Sequence, residues 1–86
     1  MRLVVRQSQF KKDFKKLRSS NRDIDVLKTA ILTLAEGEEL PESFRDHALI
    51  GNCRECHLAG DWLLICQRDA ENLVLIRTGS HSELFG

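Results

Sequence analysis

The sequence predicts an α+β fold, a two-helix hairpin packed on a small, mostly antiparallel sheet in the order β-α-α-β-β-β. Three observations point there. Apolar residues recur at spacings of three and four between Phe10 and Leu34, the helical period. Strand-like runs dominate after Cys53, and the breaks between segments are short enough for direct connections. A chain of 86 residues has room for one domain, read here as residues 1–86.

Leu3-Val4-Val5 is short and partly β-branched, the mark of a strand. Ser8 is placed to cap a helix. Phe10, Phe14 and Leu17 then form one apolar stripe, with Lys11, Lys12, Lys15 and Lys16 outside it and facing water. Ser19-Ser20-Asn21 interrupts the pattern, and Ser20 with Asp23 reads as a capping box with a shortened acid. Ile24, Leu27, Ile31 and Leu34, with Ala30 between them, make a second stripe. Gly37 suits its C-terminal cap. Glu38 to Ser43, with Pro41, is a loop, and Phe44 to His47 is expected as a short strand. Strands follow at Cys53–Leu58, Asp61–Gln67 and Leu73–Arg77. Ala59-Gly60 and Asp69–Asn72 are the hairpin turns between them. The tail from Ser80 to Gly86 has room for one helical turn.

Composition excludes some functions. Apolar runs such as Trp62–Cys66 are far shorter than the roughly 20 residues of a membrane span. The N-terminal apolar piece is too brief for a signal peptide, so a cytoplasmic protein is expected. Three cysteines do not suggest a secreted disulfide scaffold. Net charge is zero, yet residues 1–18 carry seven basic residues and one acid, a net +6 balanced by −6 in the remainder. Such a basic end suits an anionic partner such as RNA, or simply solvates a helix face.

Chemistry concentrates in the second half, at His47, His57, Asp61 and His81. Histidine exchanges protons near neutral pH. Glu55 and His57 are two apart on a strand and so project from one face. Asp61 opens the next strand, and an antiparallel hairpin would bring it near His57. A carboxylate beside imidazoles orients the rings and favours their charged form, which suits acid–base work on a phosphodiester. Cys53-Arg54-Glu55-Cys56-His57 also matches C-x-x-C-H, a haem-attachment pattern. A metal site from Cys53, Cys56 and His57, completed by Cys66 or His81, is a related alternative, although no second ligand pair of zinc spacing exists.

The segment Arg54-Glu55-Cys56-His57-Leu58-Ala59-Gly60-Asp61-Trp62-Leu63-Leu64-Ile65 resembles the R-[DE]-x-H-x-x-x-D-W-x-L-I stretch of the YafQ branch of RelE-like toxins. The ending Arg77-Thr78-Gly79-Ser80-His81-Ser82-Glu83-Leu84-Phe85-Gly86 is similar to the R-T-G-[ST]-H-x-x-L-F-G terminus of that family. Asp46-His47-Ala48-Leu49 resembles its D-H-x-L element, and Phe10 to Leu17 its lysine-rich first helix. The resemblance spans essentially the whole chain. It implies a RelE-like α+β fold and a ribosome-dependent mRNA interferase that cleaves messenger RNA in the ribosomal A site. It further implies a cognate DinJ- or RelB-like antitoxin, a DNA-binding dimer through which the toxin reaches operator DNA.

Residue by residue, the resemblance implies that His81 is the principal catalytic histidine, with His57, Asp61 and His47 completing the acid–base group. Phe85 matches an aromatic residue near the scissile site, and Glu55 an acidic position beside it. Arg54, Arg77 and Lys11, Lys12 and Lys15 are expected to bind substrate phosphate. The expected reaction uses no metal or other cofactor. Between Leu49 and Arg54 the chain is about three residues shorter than the usual loop. A toxin-fold chain that has lost catalysis and only binds its antitoxin is therefore the competing expectation.

Overall fold

A computed structural model of the chain describes residues 1–86. The order is β1 (Leu3–Arg6), α1 (Ser8–Leu17), α2 (Ile24–Ala35), a 3-10 turn (Glu42–Phe44), β2 (His47–Ala48), β3 (Cys53–Ala59), β4 (Trp62–Arg68), β5 (Asn72–Ser80) and α3 (His81–Phe85). The strands form one sheet in the order β1-β5-β4-β3-β2. Three consecutive hairpins make β2 to β5 antiparallel, while β1 joins the far edge parallel to β5. The expected fold class is observed, with two short edge strands. No helix is long and apolar enough to cross a membrane.

Period-two alternation divides the sheet into two faces. Cys56, Leu58, Trp62, Leu64, Cys66, Leu73 and Leu75 pack with Phe10, Leu17, Leu27, Ala30 and Leu34 of the helices. Leu27, Leu64, Leu73 and Leu75 are wholly sealed from solvent, and burying each such side chain contributes about 1.5–3 kcal/mol. Trp62 brings a polar atom into this core and finds it a partner. Its indole N–H donates to the Thr78 hydroxyl at 2.9 Å, and that hydroxyl donates to the Leu63 carbonyl at 2.8 Å.

Beyond β1, the outer edge of β5 is covered from α1. The Asp13 carboxylate is buried and accepts from the Thr78 backbone N–H at 3.1 Å and from Arg77 Nε at 2.7 Å. Toward the opposite edge of the sheet, Asp46 accepts from Arg54 and Arg68 and ties β2 to the neighbouring strands. Arg2 links the first strand to two turns, donating to the carbonyls of Leu34 and Asp69. Its charge also lies at the negative end of α2.

Local signals are partly relocated. Ser8 is the first helical residue of α1 and Gln7 the N-cap, without a side-chain cap bond. Asp23 itself caps α2 by accepting from the Asp25 N–H, while the Ser20 hydroxyl donates to the Leu17 carbonyl. The expected Ser20–Asp23 box is therefore absent, because Ser20 still belongs to the end of the preceding helix. Gly37, at φ +83, ends α2 as expected. Its N–H donates to the Leu34 carbonyl and that of Glu38 to Thr33, a Schellman closure. The strand expected at Phe44–His47 is instead the 3-10 turn followed by β2, since Pro41 supplies the fixed φ that starts a turn.

The two tight hairpins define what lies near the site. Gly60, at φ +54, and Asp61 are the central residues between Ala59 and Trp62, which pair. Asp61 is thus a turn residue and does not open β4. The shortened loop before Arg54 closes compactly, with the Leu49 N–H donating to the Cys53 carbonyl at 2.8 Å and Gly51 at φ +72. It leaves Arg54 paired with Ala48 on one side and with Cys66 on the other.

Two stability predictions follow from these contacts. Leu64→Ala should destabilise the fold by about 2–5 kcal/mol, read as a lowered urea midpoint. Burial pushes the Asp46 and Asp13 carboxyls up, but hydrogen bonds from Arg68 and Arg54, and from Arg77 and Thr78, outweigh it and hold both below the usual range. A lowered folded pKa gives stability that is present above the unfolded value and lost as pH falls through the folded one. Stability should therefore drop below roughly pH 4, and Asp46→Asn should flatten that dependence in a pH series of thermal melts.

Candidate active site

The sheet face opposite the core collects the polar side chains. On β3, Glu55 and His57 point to it while Cys56 and Leu58 point into the core. The pairing of His47 with Glu55 sets the two-residue strand β2 so that His47 lies beside them. Glu55 Oε1 is 3.3 Å from His47 Nε2 and 3.6 Å from His57 Nε2. The two rings lie 6.1 Å apart between centroids. His47 is further oriented by the Arg45 carbonyl, 2.6 Å from its Nδ1. Arg45 adopts the left-handed conformation, φ 49 and ψ 45, unusual for a residue with a Cβ, and thereby turns that carbonyl toward the ring.

Glu55 is only 7% exposed. Its charge is matched by imidazoles, which are cationic only when protonated. His57 is half-buried and also lines a cavity of about 220 Å³ with Ser43, Arg45, Leu58, Ala59 and Gly60.

The other half of the site hangs from the end of β5. His57 pairs across to Leu63, and Leu63 to Gly79. Gly79 is where α3 turns back over the sheet: a Cβ there would lie 3.3 Å from Glu83 Oε1 and 3.4 Å from Leu84 Cδ2. The helix start is locked by a reciprocal capping box, with Ser80 Oγ accepting from the Glu83 N–H and Glu83 Oε1 accepting from the Ser80 N–H. On α3, His81 and Phe85 are one turn apart with ring centroids at 4.9 Å. The His81 N–H donates to the Asp61 carbonyl at 3.1 Å, so the Gly60–Asp61 turn adjoins the start of α3. Backbone spacing separates Gly79 from His57 by two strand intervals, roughly 10 Å.

His47, Glu55 and His57 are therefore in direct contact, while His81 and Phe85 form a second pair across this gap, with Asp61 at the turn beside it. The Asp61 side chain is exposed and its neighbour contact is through the backbone. Arg77 shares a cross-strand row with Ile65 and Glu55. Arg54 does not reach the trio, because alternation sends it to the other face, onto Asp46 at 3.0 Å. Lys11, Lys12 and Lys15 are exposed on α1, with Lys11 lining a groove with Val4, Phe10 and Leu75 on the helix-covered side.

The C-x-x-C-H reading is corrected by the same alternation. Cys56 is core-facing and 2% exposed, and His57 beside it points to the opposite face. Cys53 and Cys56, three apart on a strand, also diverge. Burial pushes the Cys56 thiol up to about 12, far from a metal-binding thiolate. The cluster that could hold an ion is instead His47, Glu55 and His57, whose ligand atoms all lie within 4.8 Å of one another. Sequence reasoning missed Asp13. Its one signal is an isolated acid in a lysine-rich helix.

Comparison with known proteins agrees with this architecture. Residues 2–86 match the family described as "Bacterial toxin of type II toxin-antitoxin system, YafQ". The mRNA interferase toxin YafQ of Escherichia coli K12 is 34% identical over 82 residues, covering 91% of this chain and 89% of the relative. The chain superposes on YafQ from the E. coli DinJ–YafQ complex with TM-score 0.93, 32% identity and full coverage of both chains. A copper-bound mutant toxin from Helicobacter pylori gives TM-score 0.91 at 43% identity, covering 99% of this chain and 100% of that one. By sequence and by fold, the chain belongs to the YafQ family of bacterial type II toxins.

Proposed function

We propose that the chain is an mRNA interferase that cuts messenger RNA on the ribosome, in the cytoplasm, by acid–base chemistry of its own side chains. The observation that carries this reading is the contact cluster His47–Glu55–His57 on the sheet face opposite the core, two strand intervals from the end of β5 that leads into the His81–Phe85 pair. The E. coli relative's name, mRNA interferase toxin, supports it.

In this reading a base of the His57/Asp61 group takes the proton of the ribose 2′-OH. The freed oxygen attacks the adjacent phosphorus in line, the P–O5′ bond breaks, and His81 gives its proton to the departing 5′-oxygen. The products are a 2′,3′-cyclic phosphate and a 5′-hydroxyl. Glu55 stabilises the imidazolium that forms beside it, as a carboxylate next to histidine does. His47 holds Glu55 from its other side. Phe85 stacks on a base, and Arg77 stabilises charge developing on the phosphate. The ribosome supplies positioning by holding the messenger. The partner is a DinJ-like antitoxin, by analogy with the E. coli complex, and operator DNA is reached through it.

A second reading concerns the same trio. Two imidazoles and a carboxylate around one point suit a zinc or copper ion with an open position, and relatives from H. pylori have been solved copper-bound and metal-bound. We infer that such an ion competes with the reaction, because ligated rings cannot exchange protons.

Cleavage of a messenger on translating ribosomes tests the first reading. His81→Ala and His57→Ala should each lose about 10²- to 10⁴-fold in rate while melting as the wild type does; undiminished cleavage by His81→Ala would remove it from the chemistry. For the second, a chelator selective for copper and zinc, with Mg²⁺ kept in excess, should leave cleavage intact and added Cu²⁺ should slow it, with binding lost in His47→Ala. Activation by Cu²⁺ would reverse the assignment.

A further inference from the structure

We propose that Asp13 is a positioning residue for the cleavage reaction, acting from α1 by fixing the Arg77 guanidinium and the strand end that leads to His81. The proposal rests on the reading that this chain cleaves RNA with Arg77 on the scissile phosphate.

Asp13 lies on the buried side of α1 at 5% exposure, amid four exposed lysines. Its Oδ2 accepts from Arg77 Nε at 2.7 Å and from the Thr78 N–H at 3.1 Å. Its Oδ1 accepts from Arg77 Nη2 at 3.2 Å and from Gln9 Nε2 at 3.3 Å. A guanidinium held along its Nε/Nη2 edge keeps the Nη1/Nη2 edge open, and that edge matches two phosphate oxygens. The Arg77 side chain remains 32% exposed, so the open edge can meet a ligand.

A β-bulge explains why Arg77 is available at all. Leu73 and Leu75 face the core, and strict alternation would send residue 77 there too. Ile65 and Cys66 are consecutive on β4 but pair with Arg77 and Leu75, so Ile76 is the extra residue. The bulge turns Arg77 away from the core and Thr78 into it, and bulges commonly re-aim side chains in this way near active sites. Asp13 grips both residues directly after the bulge. Thr78 in turn anchors Trp62 and Leu63, and only Gly79 and Ser80 separate it from His81. One carboxylate therefore sets the guanidinium and the trajectory of the strand that delivers the proposed acid.

The test is a double-mutant cycle in ribosome-bound messenger cleavage, with thermal melts alongside. Asp13→Asn should lower kcat roughly ten- to a hundredfold, within the cost of losing one oriented charge-stabilising donor, with KM nearly unchanged. Arg77→Ala should lower it at least as much, and Asp13→Asn on top of Arg77→Ala should add no further loss. Asp13→Glu, which keeps the charge but displaces it, should lower kcat while retaining more stability than Asp13→Asn. Multiplicative losses in the double variant, or wild-type kcat in Asp13→Asn beside a crippled Arg77→Ala, would overturn the assignment of Asp13 alone. Wild-type cleavage by Arg77→Ala would overturn it together with the phosphate role of Arg77, while His81→Ala reports separately on the nuclease reading.

Discussion

The register of β3 is the constraint on which the molecule depends. Because a strand's side chains alternate with period two, one segment sends Cys56 and Leu58 into the core and Glu55 and His57 to the opposite face. A slip of one residue would exchange the two sets, burying an imidazole and exposing the apolar pair. The register is held on each side. The Gly60–Asp61 turn joins β3 to β4, and Asp46, accepting from both Arg54 and Arg68, clamps β2 and β4 across it. Asp46, Arg54 and Arg68 have no direct place in the chemistry proposed, yet they help determine which residues can meet a substrate.

The far half of the site is built by a different device. Its helix α3 has five residues and could not persist on its own, since short helices are unstable in isolation. It is held by the Ser80–Glu83 capping box, by the absence of a side chain at Gly79, and by the link from Arg22 to Glu83 at 3.5 Å, while Arg22 also lies over the Trp62 ring at 5.9 Å. The site thus joins a rigid sheet face to a small, locally tethered helix. That division places Glu55 and His57 on a strand paired on both sides and His81 at the first residue of a five-residue helix.

Much of this was legible in the sequence, for definite reasons. The helical stripes of Phe10–Leu17 and Ile24–Leu34 bury their apolar sides as their spacing requires, and Gly37 stops α2 because a positive φ is needed there. Glu55 and His57 share a face because they are two apart on a strand. What was not legible came from tertiary pairing. Nothing local in Ser20-Asn21-Arg22-Asp23 distinguishes the end of one helix from the start of the next, so the cap was misplaced by three residues. Arg54 and Arg77 look alike in sequence as basic residues flanking strand motifs. One is turned to Asp46 by alternation and the other is re-aimed by a bulge that no pattern in Leu73–Arg77 announces. Asp13 was invisible for a related reason, its partner lying 64 residues away.

Two buried acids, Asp13 and Glu55, and the half-buried Asp46 differ in the partners that meet them. Asp13 and Asp46 are each met by arginine, whose charge is permanent, and their carboxyls are held below the usual range by those bonds. Such pairs organise structure. Glu55 is buried like Asp13, but its partners are His47 and His57, whose charge depends on a proton. An unpaired buried carboxylate is costly, and a fold selected for stability alone would replace it or supply an arginine. A carboxylate between two imidazoles is best balanced when a ring has gained a proton. In the proposed reaction, a base reaches that condition as it takes a proton from a substrate hydroxyl, so the proposed transition state would match the charge at Glu55 better than the resting fold does.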